Sequence, residues 1–386
     1  MPFCEKTFFK NAFSPLKVFL SSFLFPPSKI IDIPPFLCYN GFRKRRKGGS
    51  LVSVRLKDIA EATGFSVNTV SHALRDAPDI AEETKRYIRE VADRLDYIPN
   101  LRAGSMKSGK SRIVSVILPD IGNPHFTIMF REIERYFSAL GMTPFFINTA
   151  ENGDAEINAV RLSIGQNVDG VLLCPTQTQT ESIRLLEKSK IPFVLVGRRF
   201  AEINTDYAVC DDTEGARIAT EYLLSLGHRK IAFVRVNEHI SSDRERFSGY
   251  CRALADAGFS NERLILPLTL TEEQNRDAIR AFLLANPDVS AILAFNDMLA
   301  YSIIRAANEI GRPVPESLSV IGFDHIASDY PLPLELTSVS VAKKHIARSA
   351  SELLYDRIQG TASAEKQHLV LPTKLEIGET TAKLKE

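Results

Sequence analysis

Ala60, Gly64 and Val70 restrict the fold of this chain more than any other feature of its sequence. They sit inside two apolar patterns, each too short to bury a core by itself. Leu56, Ile59 and Ala60 form the first stripe, and Val67, Val70, Ala73 and Leu74 form the second. A small residue at 60 lets a second helix approach. Gly64 supplies a turn where φ is often positive, and the β-branched Val70 fills the angle between the helices. This spacing predicts a helix-turn-helix. Ser66 is placed to cap the second helix by accepting from the amide of Asn68 or Thr69. Tyr87, Ile88, Val91, Ala92 and Leu95 predict a third helix, which Pro99 stops.

An ordinary helical hairpin with a capped second helix has the same spacing. In a helix-turn-helix the second helix enters the major groove, and its first residues reach base edges. Val67, Asn68, Ser71 and His72 are then the exposed side chains. Asn can pair bidentately with adenine, and Val can touch a thymine methyl. Thr69 and Ser71 are short enough for phosphates. Net charge is only +1, so a nucleic-acid contact requires a local basic face. Leu101 to Arg112 offers one: Arg102, Lys107, Lys110 and Arg112 occur without an acidic residue, among Gly104, Ser105, Ser108 and Gly109. It reads as a flexible basic linker.

From Ile113 short apolar runs alternate with amphipathic ones. The runs are residues 113–118, 144–147, 170–173, 193–196, 230–234, 291–295 and 318–323. Such runs suit strands buried on both faces, and the segments between them suit crossover helices, so parallel sheets are expected. The stretch is long enough for two doubly wound lobes, with a cleft at the carboxyl ends of their strands. Five scattered Cys form no CxxC pair, which argues against a disulfide framework or zinc site and fits a reducing cytoplasm. No H-E-x-x-H, G-x-S-x-G or GxGxxG is present. The chain is therefore expected not to be an enzyme, with no catalytic residues, cofactor or metal.

Residues 1–53 read differently. Phe is dense, prolines recur, and Arg43 to Lys47 is a basic run. The apolar stretch Val18 to Phe25 is too short to span a bilayer, which takes about 20 residues. Lys47-Gly48-Gly49 is what an AAGGAGG-type ribosome-binding sequence yields in frame, and Leu51 and Val52 match alternative start codons. The expectation is a mis-called start near Leu51, with a disordered tail or a targeting segment as alternatives.

Further motifs complete the picture. YIPN stands at 97–100, NPHF at 123–126, DGVLL at 169–173, GHRKIAFV at 227–234, RFSGYCRAL at 246–254, FND at 295–297 and SVIGFDH at 319–325. In order, with VRLKDIAEATGFSVNTVSHAL at 54–74, they resemble the lactose/galactose repressor (LacI/GalR) family. The resemblance implies an all-α helix-turn-helix headpiece over 54–100, a hinge helix or linker over 101–112, and a two-lobed α/β sensor with parallel sheets over 113–386. That sensor is like the periplasmic binding proteins. It implies a homodimer on a near-palindromic double-stranded operator, with Ser66, Val67, Asn68, Thr69, Ser71 and His72 at the DNA. Met106 stands where a leucine wedges the minor groove. His72 departs from a common Arg, and Ala81 from the usual Ser cap of the third helix.

For the sensor the resemblance implies a small-molecule effector, a sugar or sugar phosphate, held by Phe126, Arg246, Asn296 and Asp324, with His125 beside them. Gly197-Arg198-Arg199 departs from the family's usual Asp-Arg, so its polar role is open, and Asp212 stands where the family often has Asn, adding a charge near the cleft or hinge. Read without the resemblance, Arg246 is a solvated charge, Asn296 a helix cap and Phe126 a core residue. The function implied is a DNA-binding transcriptional regulator, most simply a cytoplasmic repressor, with no membrane partner. The alternatives are a ligand sensor with degenerate DNA binding and, last, an enzyme. The tail after Leu371 lacks a leucine heptad, which favours a dimer over a tetramer.

Overall fold

The computed structural model describes residues 54–98, 110–259, 263–270 and 275–384. They fall into two compact units that divide between Ile98 and Pro99.

The first unit is three helices: α1 (Leu56–Thr63), α2 (Val67–Leu74) and α3 (Glu82–Arg94). Gly64 ends α1 with φ 77°, and its amide donates to Ala60 O. Ser66 Oγ accepts from the Thr69 amide at 3.0 Å, which starts α2. Ile59, Val70, Ala73 and Ile88 are fully buried where the three helices meet. Tyr87 departs from expectation: it is 43% exposed. Ile88, Val91, Ala92 and Leu95 follow the i, i+3, i+4, i+7 pattern, and Tyr87 lies one residue, about 100°, off that face. Helix α3 stops at Arg94, before Pro99, which is outside the described residues. Ala81 gives α3 no side-chain cap, and Glu82 and Glu83 occupy its first turn.

The second unit contains two six-stranded sheets. The first lobe uses β1 (Ile113–Leu118), β2 (Thr143–Asn148), β3 (Gly170–Leu173), β4 (Phe193–Val196) and β5 (Tyr207–Cys210). Its helices are α4 (Pro124–Ala139), α5 (Gly153–Gly165) and α6 (Glu181–Ser189). After β5 the chain crosses to the second lobe. There α7 (Asp212–Ser225), β6 (Ile231–Arg235), α8 (Ser241–Asp256), β7 (Leu264–Pro267) and α9 (Asn275–Ala285) lead to β8 (Ala291–Leu293). The lobe continues through α10 (Asp297–Glu309), β9 (Ser319–Asp324), a 3-10 turn at Ile326–Ser328 and β10 (Ser338–Ser340). Helix α11 (Lys343–Gln359) returns to the first lobe. Strand β11 (His368–Leu371) then pairs with β5, and β12 (Lys374–Glu376) crosses again to pair with β10.

Each apolar run of the sequence contributes a strand. Strands β5, β7, β10, β11 and β12 lie outside those runs. All pairings are parallel except β10 with β12. Burial on both faces holds for β3, β4, β8 and β9. It fails for β2 and β7, which carry exposed residues because they are sheet edges. Helices α7 and α8 pack so closely that a Cβ on Gly249 would stand 2.1 Å from Thr213 O, so only glycine fits there.

Helix α11 ties three places together. Buried Lys343 at its start donates to Asp324 O (2.9 Å), His325 O (2.8 Å) and Ser328 Oγ (3.0 Å) of the second lobe. Its body packs on β3, β4 and β5. Gln359 at its end accepts from Lys110 Nζ at 3.2 Å. Next to Lys110, the amides of Ser111 and Arg112 donate to the Asp169 carboxylate at 2.7 and 2.8 Å.

Candidate functional sites: a reading helix and an inter-lobe cleft

On the first unit, α2 exposes Val67 and Asn68, and neither shares the core that Val70 and Ala73 help to build. The Thr69 hydroxyl pairs with Ser66 Oγ at 2.9 Å, so it serves the helix start as well as the surface. Ser71 is half-buried, and its carbonyl accepts from Arg75 Nε. His72 differs from the expected free side chain. Its Nδ1 lies 2.7 Å from Asp79 Oδ2 and its ring is half-buried, so Asp79 takes one of its two ring nitrogens. Acidic side chains outnumber basic ones between Val54 and Ile98. Several are already paired: Asp76 takes Arg89 at 2.6 Å and Lys85 at 3.3 Å. Met106 lies outside the described residues.

In the second unit the carboxyl ends of the strands face a cavity of about 480 Å³ between the lobes. Such a volume is within the range of small-molecule sites. Sheets of this type place their loops there because parallel strands all end on one side. The first lobe contributes Asp120 and Asn123 after β1, His125 and Phe126 at the start of α4, Glu151 after β2 and Arg198 after β4. The second lobe contributes Ser242 and Arg246 of α8, Phe295 and Asn296 after β8, and Asp324 at the end of β9. Contacts clamp both rims. Gln177 Oε1 accepts from the Ser241 amide at 2.8 Å, Arg199 meets Glu245 at 2.8 Å, and the Thr127 and Tyr330 hydroxyls lie 3.2 Å apart.

Arg246 is the centre of the second wall. It is buried, so its reading as a solvated charge is wrong. The guanidinium lies 3.7 Å from the Phe323 ring centroid and 4.7 Å from that of Phe295. Its Nε donates to Asp212 Oδ1 at 2.7 Å, its Nη1 donates to Phe295 O, and its Nη2 is 3.8 Å from Asp324. On the facing wall Arg198 grips Glu151 with both terminal nitrogens, at 2.8 and 2.7 Å. Ala150 and Glu151 have φ of 50° and 55°, which turns this carboxylate into the cleft.

Burial governs the titration of the site. It pushes Asp324 up to about 6, against the pull of Arg246 and Lys343. Asp212 is also raised by burial. Asp297, behind the cleft, is raised to about 7 by burial and by the Asp324 charge. Burial, with Lys343 and Arg246 nearby, lowers His125 to about 3, so the imidazole is neutral at physiological pH. Its Nδ1 is 3.4 Å from Asp324 Oδ1 but makes no hydrogen bond.

All five side chains expected at an effector site, His125, Phe126, Arg246, Asn296 and Asp324, line this one cavity. Asn296 has two tasks: its Oδ1 accepts from the Leu299 amide at 2.9 Å to cap α10 while the residue faces the cleft. Phe126 likewise belongs to the core and to the wall. Asp212 stands behind Arg246, and Arg198 is a wall residue with a partner. Glu151, Ser242 and Phe295 also line the cleft and are not among the effector residues expected from the sequence. Ser242 had a signal, since it lies one helical turn before Arg246 on α8. Glu151 had none, because a left-handed loop aims it. Among the described residues no group of three or more His, Cys, Asp or Glu could hold a metal ion. No described helix is long and apolar enough to cross a membrane.

Two family models match the chain. Residues 55–100 match the bacterial regulatory proteins of the lacI family, and residues 111–377 match the periplasmic binding proteins and sugar binding domain of the LacI family. The HTH-type transcriptional regulator DegA of Bacillus subtilis is 29% identical, over 85% of this chain and 98% of its own. The HTH-type transcriptional repressor PurR of Aliivibrio salmonicida is 28% identical, over 79% of this chain and 92% of its own. Among solved structures, the transcriptional regulator CelR in complex with cellobiose superposes with a TM-score of 0.64 at 26% identity, over 85% of this chain and 99% of that one.

Proposed function

Because the chain belongs to the LacI family of bacterial regulatory proteins, we propose that it represses transcription as a homodimer on a near-palindromic operator, under the control of a small molecule bound between its lobes. The organisation proposed is a headpiece over 54–100, a hinge over 101–112 and a sensor over 113–386. The observation that carries the reading is the pairing, within one chain, of a capped helix-turn-helix and a cleft whose polar groups converge from both lobes. Val67 and Asn68 read base edges, His72 offers its other nitrogen, Nε2, to a further base, and Ser66, Thr69 and Ser71 serve the phosphates. The acidic balance of the headpiece leaves much of the phosphate neutralisation to Arg102, Lys107, Lys110 and Arg112.

The effector is a sugar-class molecule. CelR holds cellobiose, and the cleft here has aromatic walls at Phe126 and Phe295 for the apolar side of a ring. Arg246, Asn123, Asn296 and Asp324 supply donors and acceptors for hydroxyls. The molecule acts by binding one lobe arrangement better than the other. A protein of this kind regulates rather than catalyses and works in the cytoplasm, where DNA is. Selection of operators from random DNA, with salt titrated, tests the assignment. A palindrome should be enriched, and its affinity should fall steeply with salt. Recovery of no consensus sequence would leave a sensor without DNA function.

A further inference from the structure

We infer that the cleft selects an uncharged polyhydroxylated ligand and rejects its phosphorylated form, with Glu151 and Asp212 as the residues that set this specificity. The inference rests on the effector reading above and concerns the same cavity. An anionic ligand needs unspent positive charge, and each source of it at this site is already committed.

The first source is Arg198. Both of its terminal nitrogens are held by Glu151, and Nη1 also donates to Pro175 O at 3.2 Å. The second is Arg246, whose Nε is fixed on Asp212 with Asp324 3.8 Å from Nη2. The third is Lys343, behind Asp324, whose ammonium spends three hydrogen bonds on Asp324 O, His325 O and Ser328 Oγ. His125 is neutral. Asp120 and Asp324 add carboxylates to the lining, so the wall is negative on balance.

Helix ends are the remaining anion sites in such folds, since their free amides attract negative charge. Three helices start at this cavity: α8 has no side-chain cap, but its Ser241 amide donates to Gln177 Oε1 at 2.8 Å and Asp243 stands in its first turn, and the chain's own asparagines close the other two. Asn123 Oδ1 accepts from the His125 amide at 2.9 Å, and Asn296 Oδ1 accepts from the Leu299 amide at 2.9 Å. With each Oδ1 used as a cap, each side-chain NH2 is the group left to donate. Donating NH2 groups, guanidinium edges and carboxylate oxygens together suit hydroxyls, which both give and accept. A phosphate offers acceptors to a wall already rich in them.

Native mass spectrometry of the full chain after incubation with a bacterial small-molecule extract tests the class. Retention of a neutral polyol supports the inference, and retention of a phosphate ester or carboxylate overturns it. Retention of nothing overturns the effector reading itself, and the specificity claim falls with it. Inorganic phosphate then tests the determinants by thermal shift, with chloride at matched ionic strength as reference. The wild-type protein should gain no more from phosphate than from chloride. Glu151→Gln frees a buried guanidinium and should gain phosphate-dependent stabilisation, with affinity at least about tenfold above wild type. Asp212→Asn keeps the shape of its side chain, removes the charge from Arg246 and should shift the same way, which covers the case of an unfolded Glu151→Gln. Phosphate stabilisation of the wild type, or no gain in either variant, defeats the assignment.

Discussion

The reading helix and the cleft solve recognition in opposite ways. On α2 the side chains assigned to DNA project from a three-helix unit with one small core, and Asn68 is exposed outside that core. In the cleft Arg198, Arg246 and Asp324 are buried, and both arginines already hold a partner inside the protein. The helix keeps hydrogen-bonding capacity open for bases that water otherwise satisfies. The cleft neutralises its own charges first and presents only what the pairs leave over. Substitutions should therefore cost stability in the cleft and specificity on the helix.

Arg246→Leu is the strongest challenge to that contrast. It strands Asp212 and Asp324 in a buried wall, and such a loss costs about 3–5 kcal/mol. Urea unfolding of the full chain should show the sensor transition moved to lower denaturant, with operator binding retained under conditions where the sensor stays folded. Ile59→Ala should come next. It opens a cavity in the small headpiece core, at about 2–5 kcal/mol, and should abolish operator binding while leaving the sensor transition in place. Asn68→Ala removes an exposed side chain, so stability should stay within about 0.5 kcal/mol. Operator affinity should fall by about 1–3 kcal/mol, concentrated at one base pair, as read by anisotropy on operator variants.

The buried aspartates of the sensor and the exposed aspartates of the headpiece should also respond to pH with opposite signs. Asp324 and Asp297 have folded values of about 6 and about 7, raised by burial above the ordinary aspartate value of 3.8. The folded state therefore holds these protons more tightly than the unfolded chain. Their contribution is greatest at low pH and is lost as pH rises from about 4 toward 7. Asp76 and Asp79 are lowered, chiefly by hydrogen bonds from Arg89 and His72. Their contribution is present above 3.8 and is lost as pH falls through the lowered values. Asp297→Asn should flatten the sensor's slope between pH 5 and 7 in urea midpoints and leave the headpiece slope unchanged; an unchanged sensor slope would contradict the assignment.

Legibility in the sequence follows the same division. The α1–α2 corner shows because Gly64, Ser66 and Val70 act within one short segment, where local sterics decide. Strands β3, β4, β8 and β9 show because central strands are apolar throughout. Strands β10, β11 and β12 do not show, because long-range pairing rather than composition makes them strands. The same holds within the cleft. Arg246 and Asp324 are recognisable through the motifs that contain them. Glu151 is recognisable only after the fold brings Arg198 against it, and His72 gains its partner Asp79 from a loop that no helical period reports.

Helix α11 spans 17 residues, or about 25 Å. One end grasps the backbone that aims Asp324, and the other meets Lys110 where the linker enters the sensor. It thus has the geometry of a lever: a tilt of a few degrees at the cleft end displaces the far end by about 2 Å, the size of shift by which helices switch proteins between states. Because its body packs on β3, β4 and β5, any such tilt must also be taken up by that sheet.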